Sequence, residues 1–259
     1  MNLKYLFGAF ISIPLLPIMA YQGRSIRKKV PRLPEASGTE GLCENGEKVL
    51  KLLCIGESTI AGVGVATHEV GFSGTLAQAL SNQLGVSVDW KVYARSGYTA
   101  KLVKDKILPK VKEQHFDLIV VGLGGNDAFT LNKPSRWKRD VQGLVNALRD
   151  RFNNAPVIFT NMPPIKGFPA FTPLIKFVIG NLVEILGDTL EEAVKDMPNT
   201  YYAAERITLE LWSDKLDPGM SIKDFFSDGV HPSAITYQIW GREIAEMIIS
   251  KEKLRNSLA

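Results

Sequence analysis

The sequence predicts an α/β fold: a three-layer sandwich with a five-stranded parallel sheet between helices, plus an apolar N-terminal helix. Three observations lead there. Short apolar runs alternate with segments of helical periodicity from residue 49 onward. Several of those runs are apolar at nearly every position, as strands covered on both faces require. The chain has 259 residues, 45% of them hydrophobic and 22% charged, enough for a sizeable buried core.

Taken in order, Val49–Ile55 is a short apolar run closed by Gly56 and reads as a buried strand. Gly71–Leu84 carries apolar residues at helical spacing, Val86–Tyr93 alternates as a strand, and Ala100–Gln114 reads as a helix. Phe116–Leu123 is the strongest strand signal. It precedes an amphipathic helix over Ser135–Phe152 and a strand over Pro156–Thr160. A long apolar helical stretch to about Lys195, a weak strand at Tyr201–Ala204 and a last helix at Ser233–Lys253 complete the series. Strands alternating with helices give a parallel sheet of flavodoxin-like type, whose ligands sit at the carboxyl ends of the strands.

Residues 1–34 are a separate piece. They hold six cations (Lys4, Arg24, Arg27, Lys28, Lys29, Arg32) and no acid, leaving the remainder with 25 cations against 27 acids. The chain's net charge of +4 therefore belongs to its start, and the body at −2 has no basic face for nucleic acid. Tyr5 to Tyr21 contains no charged residue, and as a helix of about 1.5 Å per residue it would just cross a bilayer. A membrane anchor with the basic cluster on the cytoplasmic side is the favoured reading, because the cations follow the apolar run. A cleaved signal peptide of an exported or periplasmic protein, and a buried helix of the domain, are the alternatives. Residues 35–48 read as a linker and 49–259 as the main domain.

The strand ends carry the polar residues. Gly56-Glu57-Ser58-Thr59 follows the first strand, Arg95-Ser96-Gly97-Tyr98 the second and Gly124-Gly125-Asn126-Asp127 the third. Asp228-Gly229-Val230-His231-Pro232 precedes the final helix. These residue types support acyl transfer. A serine hydroxyl becomes a nucleophile when a base such as His231 takes its proton. An acid three residues before the histidine can hold the ring through Nδ1. Backbone N–H groups beside glycine and a side-chain amide can stabilise an oxyanion. Each block alone has a plainer use: Ser58 as a helix cap, Asn126 as a partner for buried backbone groups.

The four blocks, in this order, resemble those of the SGNH (GDSL-like) hydrolase superfamily over roughly Glu47 to Ser250. The resemblance implies Ser58 as nucleophile, His231 as base and Asp228 as its partner. It implies an oxyanion hole from Ser58, Gly97 and Asn126. One residue departs from the pattern: Glu57 stands where the family usually has Asp, an acid that orders the local turn.

Other candidates have ordinary readings. Ser73 lacks the Gly-x-Ser-x-Gly spacing of an alternative nucleophile. Asp127 reads as a brace between loops, and His68 and His115 as surface or capping residues. Gly62-Val63-Gly64 lacks the third glycine of a dinucleotide fingerprint, so no cofactor is expected. With two cysteines, Cys43 and Cys54, neither a disulfide framework nor a Cys-built zinc site is expected. Cys54 reads as core.

Met162–Leu186 is unusually apolar and follows the fourth strand, so Met162, Pro163, Phe168 and Phe171 are candidates for an acyl-binding wall. The expected function is a serine hydrolase of lipid-like acyl esters or thioesters, with membrane lipid as a partner through the N-terminus. A polysaccharide O-acetyl esterase and a non-catalytic binding module of the same fold are the alternatives.

Overall fold

The computed structural model describes residues 3–208 and 220–259. Six strands form one sheet: β1 (Glu40–Cys43), β2 (Val49–Gly56), β3 (Ser87–Ala94), β4 (Leu118–Gly122), β5 (Val157–Phe159) and β6 (Thr200–Tyr202). Their order is β1-β3-β2-β4-β5-β6. The five expected strands are all present and all parallel, and β1 adds an antiparallel edge against β3. That edge strand comes from the stretch expected to be a linker.

Alternate residues of each strand enter opposite cores. Leu53, Ile55, Ile119, Val121, Val157 and Phe159 face one side, and Leu52, Cys54, Leu118, Val120 and Ile158 the other. The helices are α1 (Leu3–Lys29), α2 (Phe72–Leu84), α3 (Gly125–Phe129), α4 (Pro134–Arg151), α5 (Pro173–Lys195), α6 (Ala234–Ser250) and α7 (Glu252–Leu258). The first core packs under α4, α5 and the inner side of α1; the second packs under α2, α6 and α7. The helix expected over Ala100–Gln114 is shorter and irregular, with an α turn at Ala100–Leu102, a π segment at Val103–Ile107 and a 3-10 turn at Leu108–Lys110. Pro109 lies in that last turn and has no N–H to continue an α ladder.

Two of the three histidines lie away from the carboxyl ends of the strands. His115 is at the surface, with Nε2 2.8 Å from Asp117 Oδ1. His68, expected as a surface or capping residue, is buried. It lies beside Gly62 and Ala36, and burial pushes its ring down to about pKa 4. Its 3-10 turn is held by the His68 N–H, which donates to Ser37 O at 2.9 Å.

β2 lies between β3 and β4, so the strand order reverses at its carboxyl end. In open α/β sheets this reversal opens a crevice where ligands bind. Ser58 is two residues beyond it.

Candidate active site

Glu57 begins the site. Its N–H continues the sheet by donating to Gly122 O at 3.0 Å, and its side chain turns under the neighbouring strand end. There Oε1 accepts from Gly125 N–H at 2.9 Å, while Oε2 accepts from Asn126 N–H at 2.9 Å and from the Asn126 amide at 2.5 Å. Burial pushes the Glu57 carboxyl up to about 7, outweighing those donors. The Asn126 amide also donates to Tyr98 O at 3.2 Å. Both amide hydrogens of the expected oxyanion donor are thus engaged within the protein. Glu57 therefore does more than order its own turn: it joins block one to block three.

Gly124 makes that approach possible. Its φ is +123°, and a Cβ there would lie 2.4 Å from Met162 Sδ, so only glycine fits. Asp127 is fully buried and braces the same region, accepting from Ala100 N–H at 3.0 Å and from the Asn132 amide at 2.6 Å. Burial raises its carboxyl to about 6 despite these bonds. The block-two loop is pinned from outside by Glu35, which accepts from Ser96 N–H at 2.8 Å and pairs with Arg95.

Asp228 and His231 meet directly. Nδ1 of the ring is 2.8 Å from Asp228 Oδ2, while Oδ1 accepts from the backbone N–H groups of Val230 at 2.9 Å and His231 at 2.7 Å. The carboxylate thus shapes its own loop as well as orienting the ring. Burial acts to raise the Asp228 carboxyl, but these hydrogen bonds and the attraction of the imidazolium hold it below the usual aspartate value.

The loops bearing Ser58 and His231 are tied together. Ser227 Oγ donates to Gly64 O at 2.8 Å, Tyr237 Oη donates to Val63 O at 2.8 Å, and Val63 N–H donates to Ser58 O at 3.1 Å. A Cβ on Gly64, whose φ is +110°, would sit 2.3 Å from Pro232 O. No hydrogen bond joins Ser58 directly to His231, Gly97 or Asn126. Among the described residues, the N–H groups of Ser58 and Gly97 meet no acceptor, and Gly97 has φ +82° with open space where a Cβ would be. Ser227 and Tyr237 carry the linkage and lie outside the motifs; their nearness to block five is the one signal the sequence offered.

The apolar candidates fall into two places. Met162 packs on Gly124 and Pro163 near Gly125, and both line a cavity of about 290 Å³ with Ile165, Val183 and Tyr202. Phe168 and Phe171 form part of an aromatic row: Phe226 to Phe168 at 5.2 Å, Phe168 to Phe171 at 5.5 Å and Phe171 to Phe129 at 5.3 Å between ring centres. Ala170 N–H donates to Gly229 O at 3.1 Å, which places this row against the histidine loop. Among the described residues, no group of three or more His, Cys, Asp or Glu side chains could hold a metal ion.

The model of the GDSL-like lipase/acylhydrolase family matches residues 54–239. No curated protein matches the sequence. Among solved structures, TesA is similar at TM-score 0.57 and 19% identity, over 79% of this chain and 99% of that one. A lipolytic protein of the G-D-S-L family from Veillonella parvula is similar at TM-score 0.55 and 14% identity, covering 78% and 99%. A family 3 carbohydrate esterase from Clostridium thermocellum has TM-score 0.53 and 17% identity, covering 82% and 100%. At these identities the structures share the fold.

Proposed function

The chain belongs to the GDSL-like lipase/acylhydrolase family and is an ester hydrolase; on that premise we propose that it cleaves lipid-like acyl esters or thioesters through Ser58, His231 and Asp228. The observation that carries the reading is the Asp228–His231 pair, held on a loop that is tied to the Ser58 loop at the reversal point of the sheet.

Ser58 Oγ attacks the acyl carbon while His231 Nε2 takes its proton. Asp228 keeps Nδ1 protonated and stabilises the imidazolium that forms. The same ring returns the proton to the leaving oxygen or sulfur, and water then hydrolyses the acyl-enzyme. The N–H groups of Ser58 and Gly97 meet the developing oxyanion. Asn126 adds a third donor by turning one amide hydrogen from Glu57 or Tyr98 O toward it. The apolar surfaces at Met162 and Pro163 and along Phe168 and Phe171 suit a hydrocarbon chain better than a sugar. The N-terminal helix adds membrane association, with the cytoplasmic side favoured by its trailing cations.

A fluorophosphonate probe tests the nucleophile: wild type is labelled, and Ser58→Ala loses both labelling and p-nitrophenyl ester hydrolysis. Labelling that survives in Ser58→Ala places the nucleophile elsewhere. A wild type that stays unlabelled beside an active control hydrolase supports a non-catalytic binding module. Turnover across a ladder of acyl lengths should rise beyond acetyl; an acetyl-only profile favours a polysaccharide deacetylase.

A further inference from the structure

The apolar N-terminal helix is docked on the domain along its length. Tyr5, Ser12, Leu16, Met19, Gln22 and Ile26 lie on one side of the helix and face inward. Met19 is buried, while Tyr5, Leu16 and Ile26 pack on the core that holds Ile175, Val178 and Leu182 of α5. Thr172, the cap of α5, donates its hydroxyl to Gln22 Oε1 at 2.6 Å. A helix that crosses a bilayer alone has lipid on every side; this one has protein on one side.

Its other side is open and apolar. Phe7 is 70% exposed and Phe10 79%, with Leu3, Ile13, Ile18 and Tyr21 beside them. The face continues onto the domain through Phe177 of α5, 53% exposed, and Leu131: Phe7, Ile13, Leu131 and Phe177 line one groove of about 580 Å³, whose α5 wall also carries Glu184 and Asp188, the latter paired with Arg206. Phe129, also exposed, joins it to the aromatic row that ends at the histidine loop. At one end of the face Arg24, Arg27 and Lys28 are exposed, and no acid lies within the first 34 residues.

We propose that the outer side of α1, together with Leu131 and Phe177, is a single surface that seats in the plane of an anionic lipid bilayer and delivers acyl chains along the aromatic row. The charge pattern selects this occupant: an apolar stripe about 27 Å long, by helical rise, flanked by cations fits the boundary between acyl chains and anionic headgroups. The proposal rests on membrane association through the N-terminus and extends it from a tether to an orientation.

The test uses the full chain with Cys43→Ser, leaving buried Cys54, and a fluorescent nitrobenzoxadiazole label on Phe10→Cys or Phe177→Cys. Vesicles are phosphatidylcholine with or without phosphatidylglycerol. Both labels should shift to the blue on the anionic vesicles, and both should be quenched more by a spin label near the headgroup than by one at the chain end. Phe177→Asp should weaken vesicle binding at least tenfold with near-UV circular dichroism unchanged. Quenching of the position 10 label from the bilayer centre, with position 177 in water, establishes a membrane-crossing anchor and overturns the proposal. Labels that never shift overturn it, and so does shielding of both labels in a vesicle-free dimer, which assigns the face to a second copy. None of these readouts uses hydrolysis, so an inactive chain that binds vesicles as described removes the proposed chemistry and keeps the surface.

Discussion

Glu57 stands one residue before Ser58, the proposed nucleophile, and holds Asn126 by its backbone and side-chain N–H groups. The longer side chain was legible in the sequence as a departure from Asp. What it reaches was not, since that depends on β2 and β4 lying side by side. Its carboxyl also leaves a signature. In the unfolded chain it ionises near its ordinary 4.5, whereas the folded protein keeps the proton until about 7. The folded state binds more protons across that window, so this group's contribution to stability falls as pH rises from about 4.5 to 7. Glu57→Gln removes the slope. Its stability relative to wild type should climb by on the order of 3 kcal/mol from pH 4.5 to 7.5 and level off beyond, as read from urea melts at each pH. Turnover of the same variant should drop roughly tenfold or more as the hold on Asn126 weakens. Asp127 keeps its own slope, of the same sign, in both proteins.

The loops that carry Ser58 and His231 depend on contacts between elements. Ser227 Oγ bridges to Gly64 O, and Gly64 lies too near Pro232 O to bear a Cβ. Ser227→Ala should cost about 1 kcal/mol, and Gly64→Ala about 2 kcal/mol or more because its φ is also unfavourable for alanine. Both should lower kcat more than KM, since they disturb the alignment of nucleophile and base and leave the apolar wall intact. Steady-state kinetics paired with thermal melts checks this, and an unchanged kcat in a destabilised Gly64→Ala would disconnect the tie from chemistry. At this scale the parallel strands were legible because the central ones are apolar at nearly every position and Ser87–Ala94 alternates. The edge strand β1 was not: its Glu-Gly-Leu-Cys carries no alternation, and it pairs because Gly41 lets the Trp90 ring close over it, where a Cβ would meet the ring at 2.5 Å. The irregular turns at 103–110 were hidden for the opposite reason, their apolar spacing being good enough for an ordinary helix.

For the whole molecule, the division between basic start and slightly acidic body was plain in the sequence, while the docking of the start on the body was not. The inner stripe of α1 is made of small and polar residues as well as apolar ones, and only α5 reveals them as a contact face. If α1 belongs to the fold, Met19→Ala should lower the stability of the entire domain by about 2 kcal/mol, whereas Phe10→Ala should change it by less than about 0.5 kcal/mol. Denaturant melts of both variants in detergent-free buffer decide this, and equal effects would deny the docked arrangement. The pairing of Asp228 with His231 has a kinetic meaning as well. The acid and base are three residues apart and close a short loop at small entropic cost, while Ser58 reaches them only after the parallel strands and the final helix have assembled. Orientation of the imidazole is therefore a local matter, whereas alignment of the proposed nucleophile depends on the whole sheet. A native state that begins to loosen will lose reactivity at Ser58 before it loses the geometry of its histidine.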